Sequence, residues 1–417
     1  MTTILRGTIL HAPALGELEA LEGGYLVLED GVIQGLYPAL PAAYRSAPVE
    51  DYGEDLILQS FADMHLHAPQ YAMAGMGMDL PLLEWLDTYT FPAEARYADL
   101  EYARRVYRRL AADLIAWGTT RVAMFATLHT DATLILMEEL ERSGVTGYVG
   151  KVNMDRNGGK NLQETTEESM AETERWLAGC HFPHIKPILT PRFTPSCTDE
   201  LMDWLGRTGV ERGLYVQSHL SESLGEVAWV RELCPDCGEY WETYARHGLW
   251  KDHTIMAHCV HSSEGEQRAM AEAGVLAVHC ADSNWNLCSG TAPVRQMLDR
   301  GVWVALGSDI AGGAQLGMPQ VITASIRASK VKYMETGAAF LTAAEGYYLG
   351  TTAGHRYFGA GAGFAAGDRL HAVVVDESRF PEPVRPLSPG ERLERALYRM
   401  DPRDIRAVYS EGRKVLG

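Results

Sequence analysis

Basic side chains are scarce in this sequence. Its 417 residues include 37 Lys and Arg against 55 Asp and Glu, which gives a formal net charge of −18. Proteins that bind nucleic acids usually present clustered Lys and Arg to the phosphates. The deficit therefore argues against a nucleic-acid partner, whereas a neutral small molecule still suits the chain as a ligand.

Long apolar segments are also missing. Residues 1–21 contain no continuous apolar stretch of the kind found in signal peptides, and no later run is long enough to cross a bilayer. We therefore expect a soluble, cytoplasmic protein that does not associate with membranes.

The cysteines do not suggest a disulfide framework. There are seven, an odd number, and they are scattered along the chain. Cys259 and Cys280 lie in strand-like runs, where a thiol behaves as a small hydrophobic side chain.

The pattern along the chain predicts an α/β protein with a small β domain built from both ends. Residues 1–57 alternate apolar and turn-forming residues, with a hairpin signal at Asp30-Gly31, and residues 367–417 repeat that character. We expect these two segments to form one β-sandwich. Between them, residues 58–366 alternate β-branched runs with helical patterns, which is typical of a (β/α)₈ barrel. The eight predicted barrel strands are residues 58–65, 120–126, 148–154, 184–193, 214–219, 254–258, 275–280 and 302–308.

Two histidines stand out in the first of these strands. His65 and His67 are two residues apart in an apolar run, so both imidazoles point to the same face of a strand. Such a pair can bind one metal ion, although two polar residues on a solvated face would show the same pattern.

Further polar residues lie at the carboxyl ends of the later strands. Arg192 lies at the end of the fourth strand, His219 at the end of the fifth, His258 at the end of the sixth and Asp309 at the end of the eighth. Barrel enzymes assemble their active sites at this edge from several strands. We therefore expect these side chains to meet His65 there.

The nature of this set predicts a metal-dependent hydrolase. Three imidazoles and one carboxylate suit zinc, with iron as the second choice, and the expected ligands are His65, His67, His219 and Asp309. No lysine stands at the end of the fourth strand to bridge two metals as a carbamate, so we expect one ion. A water held by this ion would have a lowered pKa and would supply hydroxide as the nucleophile.

Three acidic or basic residues are candidates for proton transfer. Glu222, in the loop after the fifth strand, can shuttle a proton between that water and a ring nitrogen, although a solvated loop glutamate is an equal alternative. His258 can bind the water or the developing oxygen, and Asp309 can pass a proton to the leaving group. The other histidines, His355 and His371 among them, are expected on loops or at the surface.

Several motifs resemble the guanine deaminase family of the amidohydrolase superfamily. They are His65-Leu-His-Ala-Pro-Gln-Tyr71, Met78-Asp-Leu-Pro-Leu-Leu-Glu-Trp-Leu86, Tyr89-Thr-Phe-Pro-Ala-Glu94, Gly150-Lys-Val-Asn-Met-Asp155, Thr190-Pro-Arg-Phe193 and Leu306-Gly-Ser-Asp-Ile-Ala-Gly-Gly313. The resemblance covers nearly the whole chain. It implies a (β/α)₈ barrel with a β-sandwich from both termini, usually a homodimer, and the hydrolysis of guanine to xanthine and ammonia.

The resemblance also implies roles for individual residues. Zinc would be bound by His65, His67, His219 and Asp309, with Glu222 as proton shuttle and His258 beside the water. Guanine would be bound by Gln70, Arg192 and Phe193, together with His219 and Glu222.

One loop departs from the family pattern. The usual Cys-Pro-x-Ser-Asn is replaced by Cys280-Ala-Asp-Ser-Asn284, followed by Trp285. Asp282 and Trp285 could therefore admit a related heterocycle, although altered local packing is the plainer explanation. Two other functions stay open: an aminohydrolase for 8-oxoguanine, a pterin or a triazine, and a barrel that binds without catalysis.

Overall fold

The structure is a computed structural model that describes residues 1–159 and 161–417. Strands and helices alternate through its middle, which confirms the predicted α/β class. The strands are β1 (Thr2–His11), β2 (Glu19–Glu29), β3 (Val32–Tyr37), β4 (Val49–Gln59), β5 (Phe61–His67), β6 (Thr119–Phe125), β7 (Thr146–Gly150), β8 (Val152–Asn153), β9 (Ile185–Pro187), β10 (Thr190–Pro191), β11 (Gln217–Leu220), β12 (Ile255–His258), β13 (Leu276–His279), β14 (Trp303–Leu306), β15 (Ala372–Val375), β16 (Ile405–Ser410) and β17 (Arg413–Leu416). The α-helices are α1 (Leu82–Trp85), α2 (Phe91–Ala95), α3 (Leu100–Ala116), α4 (Thr130–Ser143), α5 (Thr166–Gly179), α6 (Asp199–Arg212), α7 (Leu224–Leu233), α8 (Glu242–Ala245), α9 (Glu264–Ala273), α10 (Ala281–Asn286), α11 (Val294–Asp299), α12 (Met318–Thr336), α13 (Ala343–Gly350), α14 (Thr352–His355) and α15 (Pro389–Arg399). Among the described helices, none combines the length and the apolar character that crossing a membrane requires.

Both ends of the chain contribute to one seven-stranded sheet. Its order is β17-β16-β15-β4-β1-β2-β3, so strands from the C-terminal segment lie directly beside β4. The hairpin predicted at Asp30-Gly31 joins β2 to β3, and both turn residues have positive φ, 50° and 81°. Leu58 pairs with Leu10 on one side and with Val373 on the other. Residues 58–59 therefore end β4, and the prediction that they open the first barrel strand was wrong.

Two four-stranded parallel sheets form the middle of the protein. Their orders are β5-β6-β7-β9 and β11-β12-β13-β14. On one side, the backbone of Leu189 connects them, because it donates to Tyr215 O and accepts from Gln217 N, at 3.0 and 2.9 Å. On the other side, the Asp309 backbone N–H donates to His65 O at 2.9 Å. These links bring the carboxyl ends of strands from both sheets to one edge.

Amphipathic helices cover the outside of these strands. In α3, the buried residues Ala103, Tyr107, Leu110 and Leu114 recur at helical spacing on one side. Asp99 begins the helix, and its side chain accepts from the backbone N–H groups of two first-turn residues. This buried side of α3 contacts β6 and so covers the outer face of the parallel strands.

Buried hydrogen bonds join the terminal sheet to the middle of the protein. His355 donates from Nε2 to Ser60 O at 2.7 Å and accepts from Arg121 Nη1 at 3.1 Å. His371 Nδ1 lies 2.8 Å from Thr120 Oγ1, and burial lowers the pKa of His371 to about 4. The prediction that His355 and His371 lie on loops or at the surface was wrong for His355, which ends α14 and is buried. His371 does lie outside the strands, directly before β15, but it is buried.

The C-terminal segment also contains a helix that its β-like pattern did not predict. α15 begins after Ser388, whose side chain accepts from the Glu391 backbone while the Glu391 carboxylate accepts from the Ser388 backbone. Leu393, Ala396 and Leu397 form its buried side.

Candidate active site

Histidine and aspartate side chains gather where the parallel strands end. His65 and His67 lie on β5, and the two-residue spacing turns both to the same side. His219 lies on β11, His258 ends β12, and Asp309 lies in the loop that follows β14. The structure thus brings together five side chains that the sequence spreads over almost 250 residues.

The distances place several ligand atoms around one point. His67 Nε2 lies 3.0 Å from His219 Nε2, and His65 Nε2 lies 3.3 Å from Asp309 Oδ1. Asp309 Oδ1 is also 3.8 Å from His67 Nε2. Two overlapping groups, His65 with His67 and Asp309, and His65 with His219 and His258, each have their ligand atoms within 4.8 Å of one another.

This cluster fits a divalent transition metal. Both ring nitrogens of His65 and the Nδ1 of His67 are buried and form no hydrogen bond within residues 1–159 and 161–417. A buried imidazole nitrogen without a partner is costly unless a ligand satisfies it. Several imidazoles and one carboxylate form the mixed nitrogen and oxygen set that such metals accept.

Hydrogen bonds behind the imidazoles set which nitrogen faces the cluster. His219 Nδ1 lies 2.6 Å from the Arg192 carbonyl oxygen, which can only accept, so the proton is on Nδ1. His258 Nδ1 donates in the same way to Asn284 Oδ1 at 2.9 Å. Both Nε2 atoms therefore point inward, as ligation or hydrogen bonding in the cavity requires.

Burial keeps three of the histidines neutral, and the imidazoles around Asp309 keep its carboxylate ionised. It lowers the pKa of His65, His67 and His219, so that each imidazole keeps a free lone pair near neutral pH. Burial alone would raise the pKa of Asp309, but the imidazole of His65, whose Nε2 is 3.3 Å from Oδ1, and the imidazoles of His258 and His67 hold it well below its usual range.

Glu222 lies in the same cavity as a second buried carboxylate. Its Oε1 accepts from Ser289 Oγ at 3.0 Å, and its Oε2 is 3.5 Å from His258 Nε2. Burial raises the pKa of Glu222 to about 7. The residue that could have been a solvated loop glutamate is therefore buried and able to exchange a proton near neutral pH.

The residues expected to recognise a base line the same cavity. Gln70, Arg192 and Phe193 share it with His67, His219, Glu222, His258 and Asp309. Gln70 and Arg192 are almost fully buried, and Phe193 packs edge-on against Trp229. A flat ligand can therefore contact both the polar cluster and these three side chains.

Comparison with known proteins identifies the family. Residues 56–415 match the amidohydrolase family, which is most of the chain. The chain belongs to the amidohydrolase family. A guanine deaminase from Dictyostelium discoideum is 36% identical over 99% of this chain and 98% of its own length, and one from Homo sapiens is 33% identical over 99% and 96%.

Solved structures agree with this assignment. A guanine deaminase from C. acetobutylicum, described with guanine bound in its active site, superposes on this amidohydrolase with a TM-score of 0.96 and 41% identity. The match covers 99% of this chain and all of the other. The E. coli guanine deaminase superposes with a TM-score of 0.91 at 29% identity, over 100% and 99% of the two chains.

A short segment after β5 covers the cavity of this amidohydrolase. Leu82, Trp85 and Leu86 line it from α1 and the turn that follows, and Leu287 lines it from beside α10. Trp85 is held by a hydrogen bond from Nε1 to Met76 O at 3.0 Å. Sequence reasoning gave these residues no part in the site, although the Pro-Leu-Leu-Glu-Trp-Leu motif that carries the family resemblance contains three of them.

Two residues of the loop that departs from the family pattern form hydrogen bonds to side chains of the site. Ser283 donates to Asp309 Oδ2 at 2.6 Å, and Asn284 accepts from His258. Asp282, in contrast, accepts from the Ala314 backbone at 2.7 Å, and Trp285 Nε1 donates to Thr291 Oγ1. Neither Asp282 nor Trp285 is among the residues that line the cavity.

The backbone adopts uncommon conformations at the ends of the site strands. Ser221, His258 and Asp309 have φ values of 49°, 73° and 46°, in the left-handed region that non-glycine residues seldom adopt. Such conformations persist where surrounding contacts hold them, and they are frequent at functional sites.

A larger cavity lies away from this chemistry. It has a volume of about 780 Å³ and is lined by residues around α11 and the end of α12. Its cationic side chains, Arg295, Arg300 and Lys332, pair with Glu345, Glu264 and Glu335. The smaller cavity, with its buried imidazoles and carboxylates, is therefore the candidate active site.

Proposed function

We propose that this amidohydrolase is a guanine deaminase, which hydrolyses guanine to xanthine and ammonia. One observation carries the proposal: His67, His219 and Asp309 of the metal-binding groups line a single cavity together with the buried Glu222, Gln70 and Arg192. The 41% identical relative that is described with guanine in its active site supports the same substrate.

We propose one zinc ion per subunit, bound by His65, His67, His219 and Asp309, with iron as the second choice. The neutral imidazoles, the ionised Asp309 and the inward-facing Nε2 of His219 support this ligand set. When bound, the ion supplies Lewis acidity that lowers the pKa of a water from about 15.7 toward about 7, so that hydroxide is available.

Glu222 carries the first proton in this mechanism. Its Oε2 takes a proton from the attacking water and delivers it to the ring nitrogen beside the reacting carbon. A carboxyl with a pKa of about 7 can both accept and return a proton near neutral pH. Ser289 holds the other oxygen, Oε1, so that Oε2 faces His258 and the cavity.

His258 and Asp309 complete the reaction. His258 Nε2 points into the cavity and binds the oxygen that develops charge at the reacting carbon. Asp309 Oδ2, which lies 3.9 Å from His258 Nε2, passes the second proton from that oxygen to the departing amine. The balance is one guanine and one water consumed, with one xanthine and one ammonia formed.

Gln70, Arg192 and Phe193 select the base, together with His219 and Glu222. The guanidinium of Arg192 has only donors, which suit a purine carbonyl, and Phe193 covers the flat ring. Adenine has an amine where guanine has that carbonyl, so it would leave donors facing donors and would be a poor substrate.

We also propose the finer architecture and setting. The parallel strands from β5 onward form a (β/α)₈ barrel within residues 58–366, and residues 1–57 and 367–417, with the end of β4, form a β-sandwich. The backbone links at Leu189 and Asp309 and the shared terminal sheet support this division. The protein is a cytoplasmic homodimer without nucleic-acid or membrane partners, in line with its net charge of −18.

A substrate panel tests the activity. Ammonia release by zinc-loaded protein is measured with guanine, adenine, 8-oxoguanine, a pterin and a triazine. We expect guanine to have the highest kcat/KM, by at least about tenfold. A preference for another heterocycle would favour the related aminohydrolase, and no release from any of them would favour a binding protein.

A further inference from the structure

Glu94 is a buried carboxylate that lies behind the recognition side chains and does not line the cavity. It is 1% exposed and belongs to α2. Its Oε2 accepts from Arg192 Nη1 at 2.7 Å, and its Oε1 accepts from Arg192 Nη2 at 3.0 Å. The same Oε1 also accepts from Gln70 Nε2 at 2.9 Å. One carboxylate therefore binds both polar side chains that face the substrate.

The bidentate ion pair with Glu94 fixes the plane of the Arg192 guanidinium. Two parallel N–H···O bonds allow one relative orientation of guanidinium and carboxylate, and both partners are buried. The ring of Phe91, three residues before Glu94, lies 5.4 Å from the guanidinium carbon and restricts its face. The Arg192 N–H groups that remain free for a ligand are consequently held in one direction.

The bond to Gln70 fixes the polarity of its amide. Since Nε2 donates to a carboxylate, which can only accept, the amide cannot turn over without facing oxygen with oxygen. Within residues 1–159 and 161–417, no donor bonds to Gln70 Oε1. Gln70 thus presents an acceptor to the cavity, beside the donors of Arg192.

An acceptor next to a donor matches one kind of ring edge. It pairs with an N–H beside a carbonyl, as in the lactam edge of guanine formed by N1–H and the 6-carbonyl. We propose that Glu94 is a positioning residue that sets the hydrogen-bond polarity of the substrate site and so makes it specific for a lactam edge. This inference rests on the proposed guanine deaminase activity.

Two substrates distinguish this role from a purely structural one. Guanine and 2,6-diaminopurine both carry an amine on C2, but in 2,6-diaminopurine the adjacent edge is inverted, with a bare ring nitrogen and an amine. With Glu94 in place, Gln70 and Arg192 are oriented so that the inverted edge of 2,6-diaminopurine binds poorly. In Glu94→Gln, the charge that holds Arg192 is lost and the Gln70 amide is free to turn over. The site should therefore discriminate less strongly against 2,6-diaminopurine.

The experiment compares Glu94→Gln with the unsubstituted zinc-loaded protein and with Glu84→Gln, an exposed glutamate on the neighbouring helix α1. We expect Glu94→Gln to raise KM for guanine about 10- to 100-fold, as for the loss of a charged hydrogen bond, while kcat falls by less than about threefold. The ratio of kcat/KM for guanine to that for 2,6-diaminopurine should fall at least about tenfold. Zinc content and circular dichroism should not change, and Glu84→Gln should match the unsubstituted protein.

The outcomes separate the two proposals. If the unsubstituted protein releases ammonia from guanine but folded Glu94→Gln keeps the substrate ratio within about threefold, the positioning role is wrong and the activity stands. If the unsubstituted protein does not act on guanine, the proposed function itself fails. If Glu94→Gln does not fold, Glu94→Asp replaces it in the experiment, since it keeps the charge beside Arg192 and shortens the side chain. A substrate ratio within about threefold of the unsubstituted protein would then also exclude the positioning role.

Discussion

His67 and His219, which are 152 residues apart in the chain, face each other through their Nε2 atoms at 3.0 Å. His219 donates its Nδ1 proton to a backbone carbonyl, so its Nε2 carries a lone pair on the side that faces His67 Nε2. Two nitrogen ligands of a tetrahedral zinc ion, each about 2.05 Å from the metal, would be separated by about 3.3 Å. The pair thus already has nearly the spacing that a shared ion would impose.

Removing the carboxylate of the ligand set should remove the metal. In Asp309→Ala, the imidazoles lose their only anionic partner in the set, and we expect zinc content to fall from about one per subunit to less than about 0.2, with loss of ammonia release. Elemental analysis after dialysis measures this. His181→Ala, a substitution at an exposed histidine, is the control. Full zinc content in Asp309→Ala would remove Asp309 from the ligand set.

Substituting the proton shuttle should separate metal binding from turnover. Glu222→Gln keeps the shape of the side chain and can still bond Ser289, but it cannot carry a proton. We expect unchanged zinc content and a fall in kcat of about 10²- to 10⁴-fold. Steady-state kinetics and elemental analysis on the same sample check both statements. Activity close to that of the unsubstituted protein would exclude Glu222 as the shuttle.

Ser289, which donates to Glu222, should influence where kcat/KM falls on the acid limb of its pH profile. Burial raises the pKa of Glu222 to about 7, and the hydrogen bond from Ser289 lowers it. Ser289→Ala removes that bond, so the pKa rises further. Because Glu222 must be ionised to accept a proton, kcat/KM should begin to fall at a pH about one unit higher than in the unsubstituted protein. Coinciding profiles of kcat/KM against pH would contradict this role.

Glu266 should make the folded protein less stable as pH rises. This carboxylate on α9 is 2% exposed, and burial raises its pKa from 4.5 to about 7 despite hydrogen bonds from Ser262 and Ser221. A raised carboxyl pKa stabilises the fold below pH 4.5, and this contribution is lost as pH rises through about 7, up to about 3 kcal/mol.

Glu266→Gln tests this sign directly. The glutamine can accept from the Trp241 backbone, as Oε2 does now, and donate to the two serines. Its free energy of unfolding should exceed that of the unsubstituted protein by more at about pH 8 than at about pH 5. Denaturant titrations at the two pH values measure the difference, and Glu272→Gln, at an exposed position on the same helix, serves as the control. A difference that does not grow with pH would show that Glu266 titrates normally.

The sequence predicted which residues come together in the candidate site best where a simple rule about strand geometry applied. Alternation on a strand was enough to turn His65 and His67 to one face, and the common polarity of parallel strands was enough to bring His219, His258 and Asp309 to the same edge. Asp30-Gly31 predicted its hairpin because those residues tolerate positive φ.

What the sequence could not predict depends on contacts between distant residues. Ser289 and Glu222 are 67 residues apart, and Arg192 and Glu94 are 98 apart, so no local pattern pairs them. His355 looked like a surface residue because Ser60, which accepts its proton, lies almost 300 positions earlier. Leu58 was assigned to the wrong strand because two consecutive strands, β4 and β5, are separated by a single residue.

A crystal structure of the zinc-loaded protein would show whether His65, His67, His219 and Asp309 bind one cation. Anomalous scattering at the zinc edge should show one strong peak per subunit, about 2.0–2.2 Å from a nitrogen of each histidine and an oxygen of Asp309. A peak elsewhere, or one that leaves any of these four side chains outside bonding distance, would show that they do not form one metal site.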